Sequence, residues 1–461
     1  TTSIQILNLL TVPYLSRVLG PTEYGQIGLA LGYMAYVQII LDFGFTLYAT
    51  KKISENKTDK CKIEYIITAV TFIKVILAVC LGVVFLLFLY INVFDVTLMT
   101  ILQVYLLGYL ITALLPDFYY RGMENMKSIA LRTLIVRVLF TLLIFLCVRK
   151  KEDIMFVPVC FLVGSILAFI ITAADIRWKK QITFRWPGRK YVMSMVRSAF
   201  PYFTSRFAST FYQALNVIII GKIYGTAPEV GYYTSSDKCL SLVKMGSSPI
   251  ADSLYPYMLN HKNYRLIKRL LGFVMPIITV GVIIIGIYAE PICEFVFGDG
   301  YAESGAILRL LLPAAWVILP TYVVAFPVMS PMGLAKYANY SNVIGVFIQL
   351  LGLLLLFLSH RMNIYTICGL TSFTEVSVFM YRLSVVLLSV CHERNKNHVK
   401  IILGKRVRLV VRANRFVRIL QLYLKKTSMA IFTRRFSRIN VLGVDCVILF
   451  AMCKIQFHYI R

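Results

Sequence analysis

Apolar runs of about twenty residues, the length a helix needs to cross a bilayer, recur along nearly the whole chain between short polar gaps. Twelve spans are read near 1–19, 27–49, 64–90, 98–116, 129–148, 154–174, 199–221, 232–257, 270–289, 305–327, 338–358 and 363–391. The longest internal gap, 175–198, is too short for a soluble domain. A large soluble protein would need polar faces on most of these helices, and they lack them. The pattern predicts an all-α, polytopic membrane protein with about 12 transmembrane helices.

Composition agrees: 59% of the 461 residues are apolar and 15% are charged, against about a quarter charged in soluble domains. Lys and Arg concentrate in alternate gaps, with Lys51, Lys52, Lys57, Lys60 and Lys62 after span two, and Arg177, Lys179, Lys180, Arg185, Arg189 and Lys190 after span six. Lys262, Arg265, Lys268 and Arg269 follow span eight, whereas the gap after span nine is acidic, with Glu290, Glu294, Asp299 and Glu303. Cytoplasmic loops carry the excess of cations, so even gaps and both termini are expected in the cytoplasm. Arg149, Lys150 and Lys151, after span five, break the alternation. Thr1 falls inside an apolar stretch, which reads as a span lacking its front rather than a secretory signal.

Polar residues inside the spans mark candidate chemistry, because charge at the bilayer centre costs about 2.5–3.5 kcal/mol unless it faces a cavity or a partner. In span eight, Asp237, Ser241, Lys244, Ser248 and Asp252 fall within about 80° of one another at 100° per residue. Gly246 and Pro249 are expected to break or kink that helix midway. Arg206, Ser209, Thr210, Gln213 and Asn216 form a stripe about 120° wide on span seven. Arg137 of span five and Arg309 of span ten add cations; Lys74 and Arg132 either join them or snorkel. Glu375 and Arg382 of span twelve read as substrate contacts or as a pair locking the bundle. The candidate substrate residues are Arg206, Gln213, Asn216, Asp237, Ser241, Lys244, Arg137 and Arg309. Their excess of cations suits an anionic group such as phosphate. Asp42, the carboxylate well inside span two, is the ion-coupling candidate; its alternative role is to pair with Arg17 or Lys74. Ten scattered cysteines without a C-x-x-C pair and five histidines without ligand spacing lead us to expect no metal and no cofactor.

Net charge is +28, and residues 392–461 hold 16 Lys and Arg against Glu393 and Asp445. Residues 399–424 of this tail read as an amphipathic helix along an anionic membrane surface, or as a basic end without fixed structure. The membrane context disfavours nucleic acid as a partner. A short repeat links the halves: Arg17-Val-Leu-Gly20 with Glu23-Tyr-Gly25, and Lys222-Ile-Tyr-Gly225 with Glu229-Val-Gly231. Six spans separate the copies, so both halves enter from one side and the repeat is parallel, as in transporters that bind substrate between their halves. The expected divisions are two six-helix lobes, 1–174 and 199–391, around a central cavity, with a cytoplasmic loop at 175–198 and the basic tail at 392–461.

The opening from Asn8 through Pro13, Arg17, Gly20-Pro21, Glu23 and Gly25, followed by Leu41-Asp42-Phe43-Gly44, resembles the polysaccharide-transporter family of O-antigen and capsule repeat-unit flippases. Gly231 to Lys238, Ser253 to Pro256, and Phe297-Gly298 fit the same family, which belongs to the multidrug/oligosaccharidyl-lipid/polysaccharide exporter superfamily. The resemblance covers roughly residues 1–390 and departs at the tail. It implies a bacterial inner-membrane protein that passes undecaprenyl-diphosphate-linked oligosaccharide from the inner to the outer leaflet by alternating access. Membrane lipid, a polysaccharide polymerase and a chain-length regulator are the partners it implies. Two other readings stay open: a multidrug/cation antiporter, which is expected to have acid-dominated cavities, and a membrane polymerase or acyltransferase. A polymerase is expected to carry a large outer loop, and an acyltransferase a His beside a carboxylate, which His261 and His360 lack.

Overall fold

Gly20 and Pro21 set the first architectural feature. In the computed structural model, which describes residues 2–91 and 95–391, spans one and two run as one helical stretch, α1 (Thr2–Asp42), broken only at Gly20, with φ +78°. That angle is open to glycine without a Cβ penalty, and the fixed φ of Pro21 suits the first turn of the next helix. Side chains at 2–9, 205–206 and 208–213 lie outside the described ones.

The order continues with α2 (Phe45–Glu55), α3 (Lys60–Ile91), α4 (Val96–Ala113), α5 (Asp117–Gly122), α6 (Met126–Cys147) and α7 (Phe156–Ala174). A 3-10 turn (Lys151–Met155) leads into α7 and a π turn (Asp175–Lys179) follows it. Then come α8 (Arg189–Tyr224), α9 (Pro228–His261), α10 (Tyr264–Ile287), α11 (Ala289–Phe297), α12 (Ala302–Val323) with a π turn at Val324–Met329, α13 (Ala335–Leu358) and α14 (Ile364–Cys391). No strand occurs among the described residues. The protein is an all-α, multi-pass membrane bundle.

Nine helical segments among the described residues are long and apolar enough to cross a membrane, fewer than the twelve expected. The difference has two physical sources. Spans one and two merge across Gly20, the polar α9 does not qualify, and of α8, whose middle side chains lie outside the described ones, only Ala214–Tyr224 counts as a shorter apolar helix. α9 is not broken at Gly246 and Pro249 but runs through both as one helix. The 175–198 gap is likewise shorter than expected, since α8 begins at Arg189. The remaining connection is pinned to α3: the Thr183 amide donates to Glu64 (3.0 Å), Arg185 pairs with Glu64 (3.1 Å), and Trp186 packs edge-on to Phe72.

Residues 1–385 form one unit; of the other, 386–461, only the end of α14 is described. The expected amphipathic helix at 399–424 lies outside the described residues. The main core gathers Leu19, Met34, Leu41, Ile101, Leu102, Ile220, Tyr301 and Ile318 from four helices and the turn before α12. A smaller core joins Phe45, Ile53, Ile66, Ile67 and Phe118 near the basic loops. The apolar window of α12 is 72% buried and that of α10 is 0% buried, so α12 is an inner helix and α10 presents its side chains to lipid.

Candidate functional site

The two copies of the short repeat meet. A Cβ added at Gly25 would lie 2.7 Å from the Gly231 nitrogen, and one at Gly231 would lie 1.9 Å from the Pro21 carbonyl oxygen. Gly28 faces Thr234 and Gly32 faces Val217 with similar closeness. Gly20 and Gly225 both have positive φ, +78° and +65°, so the copies also share a backbone break. Equivalent residues touching in this way are what a two-fold relation between halves produces. Backbone packed on backbone leaves no channel there, and Arg17 of α1 donates to the Phe295 carbonyl of α11 at the same end. Along α9, Val230, Gly231 and Tyr233 to Ser236 are buried, whereas Asp252, Tyr255 and His261 are exposed. The bundle is tightly packed at the Gly25/Gly231 end, and α9 becomes exposed toward the basic loops.

Beneath the seal lies a cavity of about 350 Å³ between the helices of both halves. Its walls are aromatic, with Tyr24, Tyr105, Tyr109, Phe140, Phe161 and Phe297. Among the described residues, its charged lining residues are Arg137 of α6 and Lys238 of α9, and no carboxylate lines it. The Arg137 guanidinium sits 5.7 Å from the Phe140 ring centroid, a cation–π geometry. Ser241 lines the same wall. Lys238 was missed from sequence because it lies one residue off the polar stripe; with Ser241 and Met245 it forms an i, i+3, i+7 face.

One turn further along α9 a second cavity opens, about 570 Å³, among α9, α12, α13 and α14. Lys244, Ser248 and Asp252 line it with Glu375 and Arg382. Lys244 pairs with Glu375 at 3.0 Å, and Ser248 donates to Asp252 at 3.1 Å. Arg382 donates to Ser341 (2.7 Å), the Thr321 carbonyl (2.8 Å) and Asn342 (2.7 Å).

A third cavity, about 340 Å³, is enclosed by α1, α2, α3, α4 and α5. Gln38, Asp42, Thr46, Lys74, Asp117 and Arg121 line it. Asp42 ends α1 and accepts from the backbone amide (3.3 Å) and hydroxyl of Thr46 in the first turn of α2. Lys74 donates to the Ala113 carbonyl at 2.9 Å, lies 5.6 Å from the Phe118 ring centroid, and feels the charges of Asp42 and Asp117. Asp117 pairs with buried Arg132 at 2.7 Å, and Thr172 accepts from the same guanidinium at 3.0 Å.

The candidate residues therefore separate. Arg137 and Ser241 reach the central cavity, Lys244 the second, and Asp42 the third. Asp237 is packed inside, within electrostatic reach of Lys238 and Lys244. Three candidates, Asp237, Asn216 and Arg309, line none of the three cavities. Asn216 is 2% exposed in a closed network, donating to Thr371 (2.9 Å) and accepting from Gln349 (3.0 Å), because these two long-range polar partners enclose it. Arg309 pairs with Glu290 (2.7 Å) and donates to the Gly286 carbonyl (2.9 Å), because α11 folds back beside α12. The side chains of Arg206, Ser209, Thr210 and Gln213 lie outside the described ones. Asp42 has Lys74 as its neighbouring cation, while Arg17 is engaged at the opposite end.

An all-α bundle with cavities between its helices, sealed by close helix packing at one end, is the architecture of a membrane transporter. Residues 1–262 match the family described as "Polysaccharide biosynthesis protein", and the chain belongs to that family. It is 27% identical over 372 residues to the "Putative O-antigen transporter" of Escherichia coli (strain K12), covering 76% of this chain and 85% of the relative. It is 23% identical over 349 residues to the protein of the same name from Shigella dysenteriae, covering 74% and 86%. Among solved structures, it shares the fold of the lipid II flippase MurJ in an inward closed conformation (TM-score 0.68, 12% identity, 83% of this chain and 85% of that one). It also shares that of an inward-facing multidrug resistance MATE transporter of the MOP superfamily (TM-score 0.65, 13% identity, 84% and 94%).

Proposed function

We propose that this protein flips undecaprenyl-diphosphate-linked oligosaccharide repeat units, of O-antigen or capsule type, from the inner to the outer leaflet of the bacterial cytoplasmic membrane. The observation that carries the reading is the central cavity, where Arg137 and Lys238 stand with no carboxylate among the lining residues. A diphosphate needs such cations to leave water, since the cost of burying charge is met only by opposite charge or hydrogen bonds. The polyprenyl chain stays in lipid while the head group passes between two six-helix lobes, 1–174 and 199–391. Both termini and the basic loops face the cytoplasm, so the open mouth receives substrate from inside and the Gly25/Gly231 seal closes the outer side. A multidrug/cation antiporter fits less well, because a cationic cavity without lining carboxylates repels organic cations. A polysaccharide polymerase and a chain-length regulator would act on the flipped product.

Transport requires the seal to open as the basic end closes, with the substrate favouring each state by differential contact. Asp42 beside Lys74 and Asp117 is the site at which a proton would couple that cycle to the gradient. The test is export in cells. Arg137→Ala/Lys238→Ala at normal protein level should remove surface polysaccharide and accumulate lipid-linked repeat units inside. Full export by that variant contradicts the reading.

A further inference from the structure

We infer that the cavity bounded by α9, α12, α13 and α14 is a sugar-recognition subsite, separate from the diphosphate subsite in the central cavity; this rests on the flippase reading above. Three observations support it. First, its charges balance: Lys244 and Arg382 face Asp252 and Glu375 among the lining residues, whereas the central cavity holds Arg137 and Lys238 without an acid. A balanced set offers donors and acceptors to an uncharged ligand without attracting an ion.

Second, the cavity has an unmet hydrogen-bonding group. Thr321 lines it, is 2% exposed, and its Oγ1 has no hydrogen-bond partner among the described residues. A buried hydroxyl left without a partner costs free energy, and a ligand hydroxyl in the cavity would supply one. Third, Tyr255 and Phe326 stand at its margin in a T-shaped pair, 6.2 Å between centroids, both partly exposed. Phe326 lies on the π turn that ends α12, and such turns re-aim side chains at functional sites. Sugars present C–H faces to aromatic rings and hydroxyls to polar groups, and this wall supplies both. Ser241 of the central cavity and Lys244 of this one are one helical turn apart, so a single ligand spans the two, its diphosphate on Arg137 and Lys238 and its sugars beside Tyr255 and Thr321.

Purified full-length protein in lipid nanodiscs tests the assignment with two probes: undecaprenyl diphosphate without sugar, and the lipid-linked oligosaccharide extracted from cells lacking this transporter. Thr321→Val and Tyr255→Leu should each weaken binding of the glycosylated lipid about fivefold and leave the sugar-free lipid unchanged. The melting temperature of Thr321→Val should match the parent, because Thr321 Oγ1 has no partner among the described residues to lose. Arg137→Ala should weaken both probes. If both variants bind the glycosylated lipid as the parent does, or lose the two probes equally, the sugar subsite is wrong while the flippase reading stands. If the parent protein binds neither probe, the flippase reading fails and the subsite with it.

Discussion

Gly231→Ala is the sharpest perturbation of the seal. The added Cβ would sit 1.9 Å from the Pro21 carbonyl oxygen, and ordinary contact begins near 3.4 Å, so α1 and α9 must part by about 1.5 Å. The atoms in the way are backbone and cannot turn aside as a side chain would. Overpacking of this kind costs about 1–3 kcal/mol. Alanine also gains about 1 kcal/mol of helix propensity over glycine, but α9 is helical whether the seal is open or shut, so that gain cancels between the two states. The net bias against the sealed state is then about 5- to 150-fold. Gly246, on the same helix with nothing within 4 Å of an added Cβ, is the control. In a background without native cysteines, Thr234→Cys beside Gly28 should label slowly with an impermeant maleimide added from the sealed side. Gly231→Ala should accelerate that labelling at least about tenfold and impair export, and Gly246→Ala should change neither. Unchanged labelling and full export with Gly231→Ala would refute the seal.

Lys244→Ala leaves buried Glu375 without its cation, so it should lower stability by about 1–2 kcal/mol and abolish export, with Lys244→Arg sparing part of it. Lys244→Met/Glu375→Leu should restore the melting temperature but not export; recovery of both would make the pair purely structural. Asp42→Asn keeps shape and cannot titrate, so coupling predicts lost transport at unchanged thermal stability, whereas normal transport across external pH removes the role. Cysteines at Asn56, His261 and Asn263 should be accessible from the cytoplasm and those at Asp95 and Asp299 from outside; Asp299 on the cytoplasmic side would overturn the orientation.

The span boundaries were legible because apolar length is a local property: the read spans 64–90, 129–148 and 338–358 became Lys60–Ile91, Met126–Cys147 and Ala335–Leu358. The short helices α5 and α11, six and nine residues, passed unnoticed because so few residues carry no periodic signal. The polar stripe of α9 was legible, yet one helix face feeds two cavities, and only its long-range partners separate them. Glu375 looked like the i, i+7 mate of Arg382, but it took Lys244, 131 residues away. Asn216 and Arg309 looked like cavity residues because their partners, Gln349 with Thr371 and Glu290, are contacts that helical periodicity cannot reveal.

The central claim is that this chain moves a lipid-linked oligosaccharide between leaflets, and reconstitution tests it most directly. Proteoliposomes carrying the purified protein and undecaprenyl-diphosphate-linked oligosaccharide would be exposed to an impermeant sugar-cleaving enzyme added outside. The flippase predicts that cleavage proceeds beyond the outer-leaflet share toward the whole pool, and that Arg137→Ala/Lys238→Ala stops it at the outer share. Cleavage that halts at the outer-leaflet share with the parent protein, as in protein-free liposomes, would contradict it.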